Sequence, residues 1–338
     1  MGLAPEWLSL TTAGLPQNVI NTIQNARAPS TRSLYDSKWK VFERWCLERG
    51  HIPFQCSVPA ILSFLQDLID KGKAFSTIKV YLAAIAACHV GFGDKTAGRH
   101  PLVCRFMKGA RRLLPVSRPL IPPWDLAVVL EGLKGPPFEP LLGASLKHLS
   151  LKTVLLLALA STKRVSDIHA LSVRPACAQF APGNTRMVLK PNPAFVPKVV
   201  GSCSPIVLTA FAGEQREHTL CPVRAVRSYM DRTQGLRRSD QLFVSWANPR
   251  KGQPVTRQRL AHWLVEAIAL AYTSRGLQPP VGLRAHSTRG MAASWALFRG
   301  VSVQDICAAA SWSSPLTFVR SYMLDVSGPC VASAVLDS

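Results

Sequence analysis

Four prolines fall within the nine residues from Pro115 to Pro123, and this segment constrains the fold more than any other part of the sequence. Proline has no backbone N–H and clashes with the preceding helical turn, so such a run cannot lie inside a helix. We therefore predict a stiff Pro-rich linker over residues 116–123 that separates two domains. The length of 338 residues favours the same division, because single cores stop growing beyond roughly 250–300 residues.

The segment before the linker predicts a small all-helical bundle over residues 29–115. Apolar residues recur at three- and four-residue steps in helices that begin near Ser30, Ser57 and Ser76. A fourth helix, near residues 101–114, is rich in arginine and lysine. Residues 1–28 show little pattern, and we expect them to form a flexible lead-in.

The segment after the linker, residues 124–338, predicts a larger domain that is mainly helical and contains one small antiparallel sheet. Apolar clusters at 187–189, 199–200 and 206–208 are separated by Pro, Gly, Asn and Ser, which is typical of short strands. Helices are predicted at 146–171 with a break, 221–234, 256–274, 287–298, 303–311 and 315–324. The expected fold class is therefore mainly α with a small antiparallel β-sheet (α+β).

The charge balance indicates a polyanionic partner. Lys and Arg number 40 against 19 Asp and Glu, a formal net charge of +21 that favours nucleic acid first and an anionic membrane surface second. No apolar run approaches the roughly 20 residues of a membrane span, and the N-terminus lacks a signal-peptide pattern. The nine cysteines are scattered and form no CxxC pair, so a disulfide framework is not expected. The eight histidines show no spacing typical of metal ligands, so a structural metal is not expected either. We expect a soluble intracellular protein.

Four short segments between residues 164 and 322 carry a further pattern. They are the run Arg164-Val-Ser-Asp-Ile-His-Ala-Leu171, the run His286-Ser-Thr-Arg289, then Trp312 and Tyr322. In order and spacing they resemble the catalytic boxes of the tyrosine recombinases, or phage integrase family. The first box of that family reads Arg-x-Ser-Asp/Glu-Ile/Leu-x-x-Leu, and every fixed position matches here. The residues of the later boxes are most similar to those of the recombinases of eukaryotic DIRS and Ngaro retrotransposons.

The resemblance covers nearly the whole chain, with two departures. Residues 29–115 resemble the SAM-like core-binding domain of the family, and residues 124–338 resemble its catalytic domain. Gly290 stands where a His commonly follows the second arginine. The step from Trp312 to Tyr322 is ten residues, one more than is usual in the family.

Carried over to this sequence, the resemblance implies six catalytic residues: Arg164, Lys190, His286, Arg289, Trp312 and Tyr322. Two guanidiniums would clamp the non-bridging oxygens of a DNA phosphodiester, and Tyr322 would attack it. His286 would take or return the proton or stabilise the phosphate, and Trp312 would offer its indole N–H and a rigid packing surface. Lys190 is favoured over Lys198 as the hairpin lysine that protonates the departing 5′ hydroxyl. The implied 3′-phosphotyrosyl intermediate keeps the bond energy, so no cofactor is expected.

The resemblance also implies partners and a location. Double-stranded DNA is the expected partner, a homotetramer on paired DNA sites the expected assembly, and the nucleus the expected compartment. Residues expected to touch DNA phosphates, rather than to be merely solvated charge, are Lys38, Lys79, Arg105, Lys108, Arg111, Arg112 and Lys198. Two other functions stay open: a domesticated, catalytically silent DNA-binding protein that uses the helix-turn-helix pattern of 303–324, and a type IB topoisomerase-like activity.

Overall fold

Two compact units make up the chain, residues 1–118 and residues 119–338. The computed structural model describes residues 4–115, 120–197, 204–211 and 218–326. Residues 116–119 of the predicted linker lie outside the described residues, and residues 120–125 form no helix. Along the described parts of the chain, no helix has the length and apolar character needed to cross a bilayer.

Among its described residues the first unit contains six α-helices: α1 (Ala4–Thr12), α2 (Gln17–Gln24), α3 (Pro29–Leu47), α4 (Val58–Asp70), α5 (Phe75–Cys88) and α6 (Pro101–Leu113). The predicted flexible lead-in is corrected, because α1 and α2 are regular helices. Ile20 is buried, and Arg27 forms an ion pair with Glu6 at 2.6 Å. Both helices are short, so their apolar periodicity is too brief to predict from sequence.

Aromatic packing forms the core of the first unit. The ring of Phe42 in α3 lies 5.0 Å from that of Phe64 in α4, which lies 5.6 Å from that of Tyr81 in α5. Edge-to-face contacts of this kind stabilise beyond the apolar area that they bury. The predicted cap of α4 is present, since the Ser57 hydroxyl accepts a hydrogen bond from the Ala60 N–H.

The second unit contains eight helices among its described residues: α7 (Leu126–Leu133), α8 (Leu146–Ser161), α9 (Val165–His169), α10 (Pro222–Thr233), α11 (Arg257–Thr273), α12 (Ser287–Phe298), α13 (Val303–Ala310) and α14 (Pro315–Ser321). Helix α8 is the central element and packs against α10, α11 and α12. Residues 149–158 of this helix are all buried, so neighbouring elements surround it on every side over that stretch.

A small antiparallel sheet of three strands completes the second unit, in the order β1 (Ala178–Phe180), β2 (Arg186–Leu189) and β3 (Ile206–Thr209). In its register Phe180 pairs with Met187, and Leu189 pairs with Ile206. The predicted fold class, mainly α with a small antiparallel sheet, is confirmed. The strand that was not predicted is β1, whose three residues are too few to show an alternating pattern. The predicted strand at 199–200 lies outside the described residues.

One buried ionic cluster holds α8 in place. The fully buried Lys152 ammonium donates to the Leu133 carbonyl at 2.7 Å and lies 2.5 Å from Oε1 of Glu139. Arg224 of α10 donates to both carboxylate oxygens of Glu139, at 2.7 and 3.3 Å. This cluster therefore ties α7, α8 and α10 together around one buried carboxylate.

Candidate active site

Two helices of the second unit end in a non-glycine residue with a left-handed backbone. Thr162, with φ 51°, directly follows α8, and Ser311, with φ 53°, directly follows α13. This conformation costs about 1–2 kcal/mol for such residues and is concentrated at functional sites. Thr162 is followed by Lys163 and then by Arg164, the start of the first box, and Ser311 is followed directly by Trp312.

Arg164 lies at the junction between α8 and α9. It precedes the first turn of α9, where its backbone N–H donates to Oδ2 of Asp167 at 3.3 Å. The acidic residue of the first box therefore fixes the backbone on which the arginine is mounted. The side chain is partly exposed and lies close enough to Arg289 to affect that residue's pKa.

Arg289 is the most buried member of the site, with 1 % of its surface exposed. Its guanidinium carbon lies 4.6 Å from the ring centroid of Trp312 and 5.2 Å from that of Tyr322, and Nη2 donates to the Ala310 carbonyl. Burial, with the positive charge of Arg164, lowers the pKa of Arg289 to about 10, so the group is charged at neutral pH. Within the described parts of the chain, its Nε and Nη1 donors have no hydrogen-bond acceptor.

Tyr322 lies among the other predicted side chains. Its half-buried ring is 4.7 Å from the Trp312 ring and 5.2 Å from the His286 ring, measured between centroids. Trp312 also stacks on Phe318 at 5.6 Å. His286 is exposed and directly precedes α12. The phenol therefore has an imidazole, an indole and a guanidinium as neighbours.

The backbone of Tyr322 corrects one prediction. The expected helix at 315–324 ends at Ser321, so Tyr322 is the first residue after α14, with φ −134°. Its N–H still donates to the Phe318 carbonyl at 2.8 Å. The hydroxyl of Ser294 accepts the Leu324 N–H at 2.8 Å, and this contact draws the chain away from the helical path.

Lys190 makes no side-chain contact with the other predicted residues in the described parts of the chain. It is exposed at the end of β2, where its N–H donates to the Cys177 carbonyl at 2.7 Å. Among the described residues, its side chain forms neither a hydrogen bond nor an ion pair. Lys198, the alternative, lies outside the described residues. The structure thus groups Arg164, His286, Arg289, Trp312 and Tyr322, and the assignment of the hairpin lysine stays a prediction.

Lys163 is a residue of this region to which the sequence analysis gave no role. Its side chain is buried, and Nζ donates to the Ser311 hydroxyl at 2.7 Å and to the Ser204 hydroxyl at 3.5 Å. The available signal was a lysine that follows the apolar run of residues 154–160 and directly precedes the first box. A lysine in such a place is buried only with polar partners.

The predicted DNA-contacting residues of the first unit differ in their surroundings. Four of them lie exposed on α6, whose other side buries Val103 and Ala110: Arg105, Lys108, Arg111 and Arg112. Lys79 is exposed on α5. Lys38 is half-buried, and its ammonium lies 4.7 Å from the ring centroid of Tyr81, so it also serves the packing of α3 on α5.

No family model matches the sequence, and no curated protein matches it. Solved structures do match. The Tn1549 transposon integrase in complex with transposon right end DNA has a TM-score of 0.60 and 13% identity, covering 100% of this chain and 98% of that one. The XerH site-specific recombinase bound to difH substrate in a pre-cleavage complex has a TM-score of 0.54 and 13% identity, and the match covers 91% of this chain and 79% of that one. A lambda integrase tetramer bound to a Holliday junction has a TM-score of 0.50 and 14% identity, and the match covers 94% of this chain and 75% of that one. Identities this low establish architecture alone, and that architecture is the tyrosine recombinase fold.

Proposed function

We propose that this protein cleaves and rejoins DNA strands through a 3′-phosphotyrosyl intermediate, as the site-specific recombinase of a mobile element. The observation that carries the proposal is the buried Arg289 guanidinium beside the Tyr322 ring. A buried donor without an acceptor costs about 1–3 kcal/mol, more when it is charged, so two such donors at one arginine favour an anionic ligand.

A phosphodiester suits this arrangement. The planar guanidinium of Arg289 offers its forked donors to non-bridging oxygens, and the neighbouring Arg164 adds a second positive charge. Negative charge on those oxygens increases as the pentacoordinate transition state forms. Fixed cationic donors in a water-poor site therefore stabilise the transition state more than the ground state.

The Tyr322 hydroxyl is the nucleophile in this proposal. A phenol has an ordinary pKa of about 10, so it needs a base or a cationic field to attack at neutral pH. His286, with its ring 5.2 Å from that of Tyr322, accepts the proton directly or through a water. The Tyr322 oxygen bonds to phosphorus and the bond to the 5′ oxygen breaks, with Lys190 protonating that oxygen. A 5′ hydroxyl of another strand then reverses the step, so the phosphoester bond energy is conserved.

The finer parts of the proposal rest on resemblance. The Tn1549 integrase, whose full-length match has the highest TM-score quoted above, is bound to transposon DNA, which supports a mobile-element role. The lambda integrase match is a tetramer on a Holliday junction, which supports a homotetramer on paired sites. The resemblance of the boxes to eukaryotic retrotransposon recombinases supports a nuclear location. Double-stranded DNA is the partner that we propose for this chain.

The deciding experiment uses a nicked suicide duplex built from the termini of the genomic element that encodes the chain. Cleavage next to the nick releases a short strand and traps the protein on DNA. We expect a covalent adduct with the wild-type protein and none with Tyr322→Phe. Tight binding without an adduct on a verified site would favour the silent DNA-binding protein. Relaxation of supercoiled plasmid without joining of two sites would favour the topoisomerase-like activity.

A further inference from the structure

We propose that Lys163 is a positioning residue that holds the turn of Ala310, Ser311 and Trp312 against Arg289. The inference rests on the proposed function, because it concerns the arginine that binds the scissile phosphate. It adds to that proposal a residue outside the six catalytic positions.

The first observation is the hydrogen bonding of the buried amine. Lys163 is 6% exposed, and its ammonium donates to Ser311 Oγ at 2.7 Å and to Ser204 Oγ at 3.5 Å. The two hydroxyls lie 3.2 Å from each other. These three side chains come from the α8–α9 junction, the residues before β3 and the end of α13, so one amine joins three parts of the second unit.

The second observation is what Ser311 carries on either side. The Ala310 carbonyl accepts a hydrogen bond from Arg289 Nη2, and the Trp312 ring lies 4.6 Å from the Arg289 guanidinium carbon. Ser311 itself has a left-handed backbone, which needs outside support to persist. By fixing the Ser311 side chain, Lys163 fixes both neighbours that contact Arg289.

The third observation is the place of Lys163 in the chain. It directly precedes Arg164 in the chain, so its position affects the backbone of that arginine. Through Ser311 it also supports the two residues that contact the Arg289 guanidinium. A displacement of about 1 Å in such a site can cost about 100-fold in rate. Ser204 lies in the connection between β2 and β3, so its hydrogen bond with Lys163 also links this region to the segment that begins at Lys190.

The placement assigns Lys163 a positioning role and not that of a proton donor. Its side chain is buried and its ammonium already donates to two hydroxyls, whereas the leaving 5′ oxygen of DNA arrives from solvent. The two roles differ chemically. A proton donor becomes dispensable when the leaving oxygen is replaced by sulfur, because a thiolate leaves without protonation. A positioning residue stays necessary.

The experiment therefore compares suicide duplexes with an ordinary phosphate and with a 5′-bridging phosphorothiolate. For Lys163→Met we expect single-turnover adduct formation to fall about 100-fold on both substrates, with duplex Kd changed less than threefold. Ser311→Ala, which keeps the lysine, should lower the rate in the same way, and Lys163→Arg should recover part of it. The control Lys134→Met removes an exposed lysine that pairs with Glu131 and should leave the rate unchanged.

Wild-type rate in the folded Lys163→Met protein would overturn the proposal, and so would rescue by sulfur, which would make Lys163 a proton donor. Should Lys163→Met fail to fold, Ser311→Ala decides alone. A second readout is independent of cleavage: the Nε–H NMR signal of Arg289 should shift in Lys163→Met and not in Lys134→Met. If the wild-type protein forms no adduct, the proposed function fails, and an unmoved Arg289 signal would still refute the role of Lys163.

Discussion

The backbone carbonyl of Tyr322 lies so close to Gly290 that a Cβ atom at position 290 would be 2.9 Å from its oxygen. This contact joins the two places where the sequence departs from the family pattern, the missing histidine at 290 and the extra residue before Tyr322. The longer step leaves Tyr322 beyond the end of α14, where its carbonyl occupies the space of a side chain at 290. The two departures therefore fit one another.

Gly290→Ala is expected to displace Tyr322 and slow adduct formation. The atom in the way is the backbone carbonyl oxygen of Tyr322, so relief of the clash requires movement of the backbone at Tyr322, at a cost of about 1–3 kcal/mol. That corresponds to roughly 5- to 150-fold in single-turnover rate if the cost falls on the transition state. Gly235→Ala is the matched control, since a Cβ there meets no atom within 4 Å. Equal rates for the two variants would contradict this account.

Arg289→Lys should lower cleavage by about 10²- to 10³-fold, because a lysine keeps the charge but loses the forked donors. Affinity for the duplex should change little, since most phosphate contacts lie elsewhere. Adduct formation at saturating DNA and a filter-binding Kd measure the two effects separately. Arg299→Lys, at an exposed arginine after the same helix, serves as the control. A matching loss of affinity and cleavage in Arg289→Lys would show that the arginine is a general contact.

The basic face of α6 should govern affinity and not cleavage. Replacing Arg105 and Arg112 together by alanine is expected to weaken binding and reduce the slope of log K against log salt by about 1.8, or 0.9 per phosphate contact. Adduct formation at saturating DNA should be unchanged. Arg49→Ala is the control, because that arginine pairs with Asp67 at 3.4 Å and lies 4.3 Å from the Trp45 ring. An unchanged salt slope in the double variant would remove α6 from the DNA interface.

Glu139→Gln should destabilise the second unit by about 3–5 kcal/mol, because it leaves the buried Lys152 without its carboxylate. Glu131→Gln removes an exposed ion pair of the same 2.5 Å length and should lower the free energy of unfolding far less than Glu139→Gln. Urea unfolding followed by circular dichroism measures both free energies.

The same carboxylate predicts a dependence of stability on pH. Burial favours the protonated form of Glu139, yet hydrogen bonds from Arg224 and Lys152 outweigh it and hold the pKa below the ordinary 4.5. A depressed carboxyl pKa contributes stability above the unfolded-state value, and that stability is lost as the pH falls below about 4.5 and through the folded pKa. Glu139→Gln should therefore flatten the loss of stability below pH 4.5. An equally steep loss in the variant would assign the acid sensitivity to other carboxyls.

Features set by short stretches of sequence could be predicted. The Ser57 cap, four helices of the first unit and the strands at 187–189 and 206–208 all follow from local periodicity and turn chemistry. Elements with too little pattern were missed: α1, α2, α7 and β1 are each nine residues or fewer. Periodicity over so few positions does not separate a helix or a strand from a loop.

The site shows the same division. The order of the boxes predicted which side chains meet, and the structure groups five of the six. The backbone of Tyr322 and the partners of Lys163 could not be predicted, because they depend on contacts between distant residues. Lys163 and Ser311, for instance, are separated by 148 positions in the chain. Such pairs are fixed only when α8 and α13 have packed in the same unit.

The small apolar cluster around Tyr322 has a consequence for its local stability. Trp312 and Phe318 belong to a cluster formed by α12, α13 and α14 that is separate from the larger core around α8. Regions with fewer buried apolar contacts open at lower free energy than the molecule as a whole. We therefore expect the segment that carries Tyr322 to unfold and refold locally while α8, α10 and α11 stay intact. Amide hydrogens of α13 and α14 should exchange well before those of α8. The exposure of Tyr322 to a ligand would then depend on the equilibrium between the folded and the locally unfolded segment.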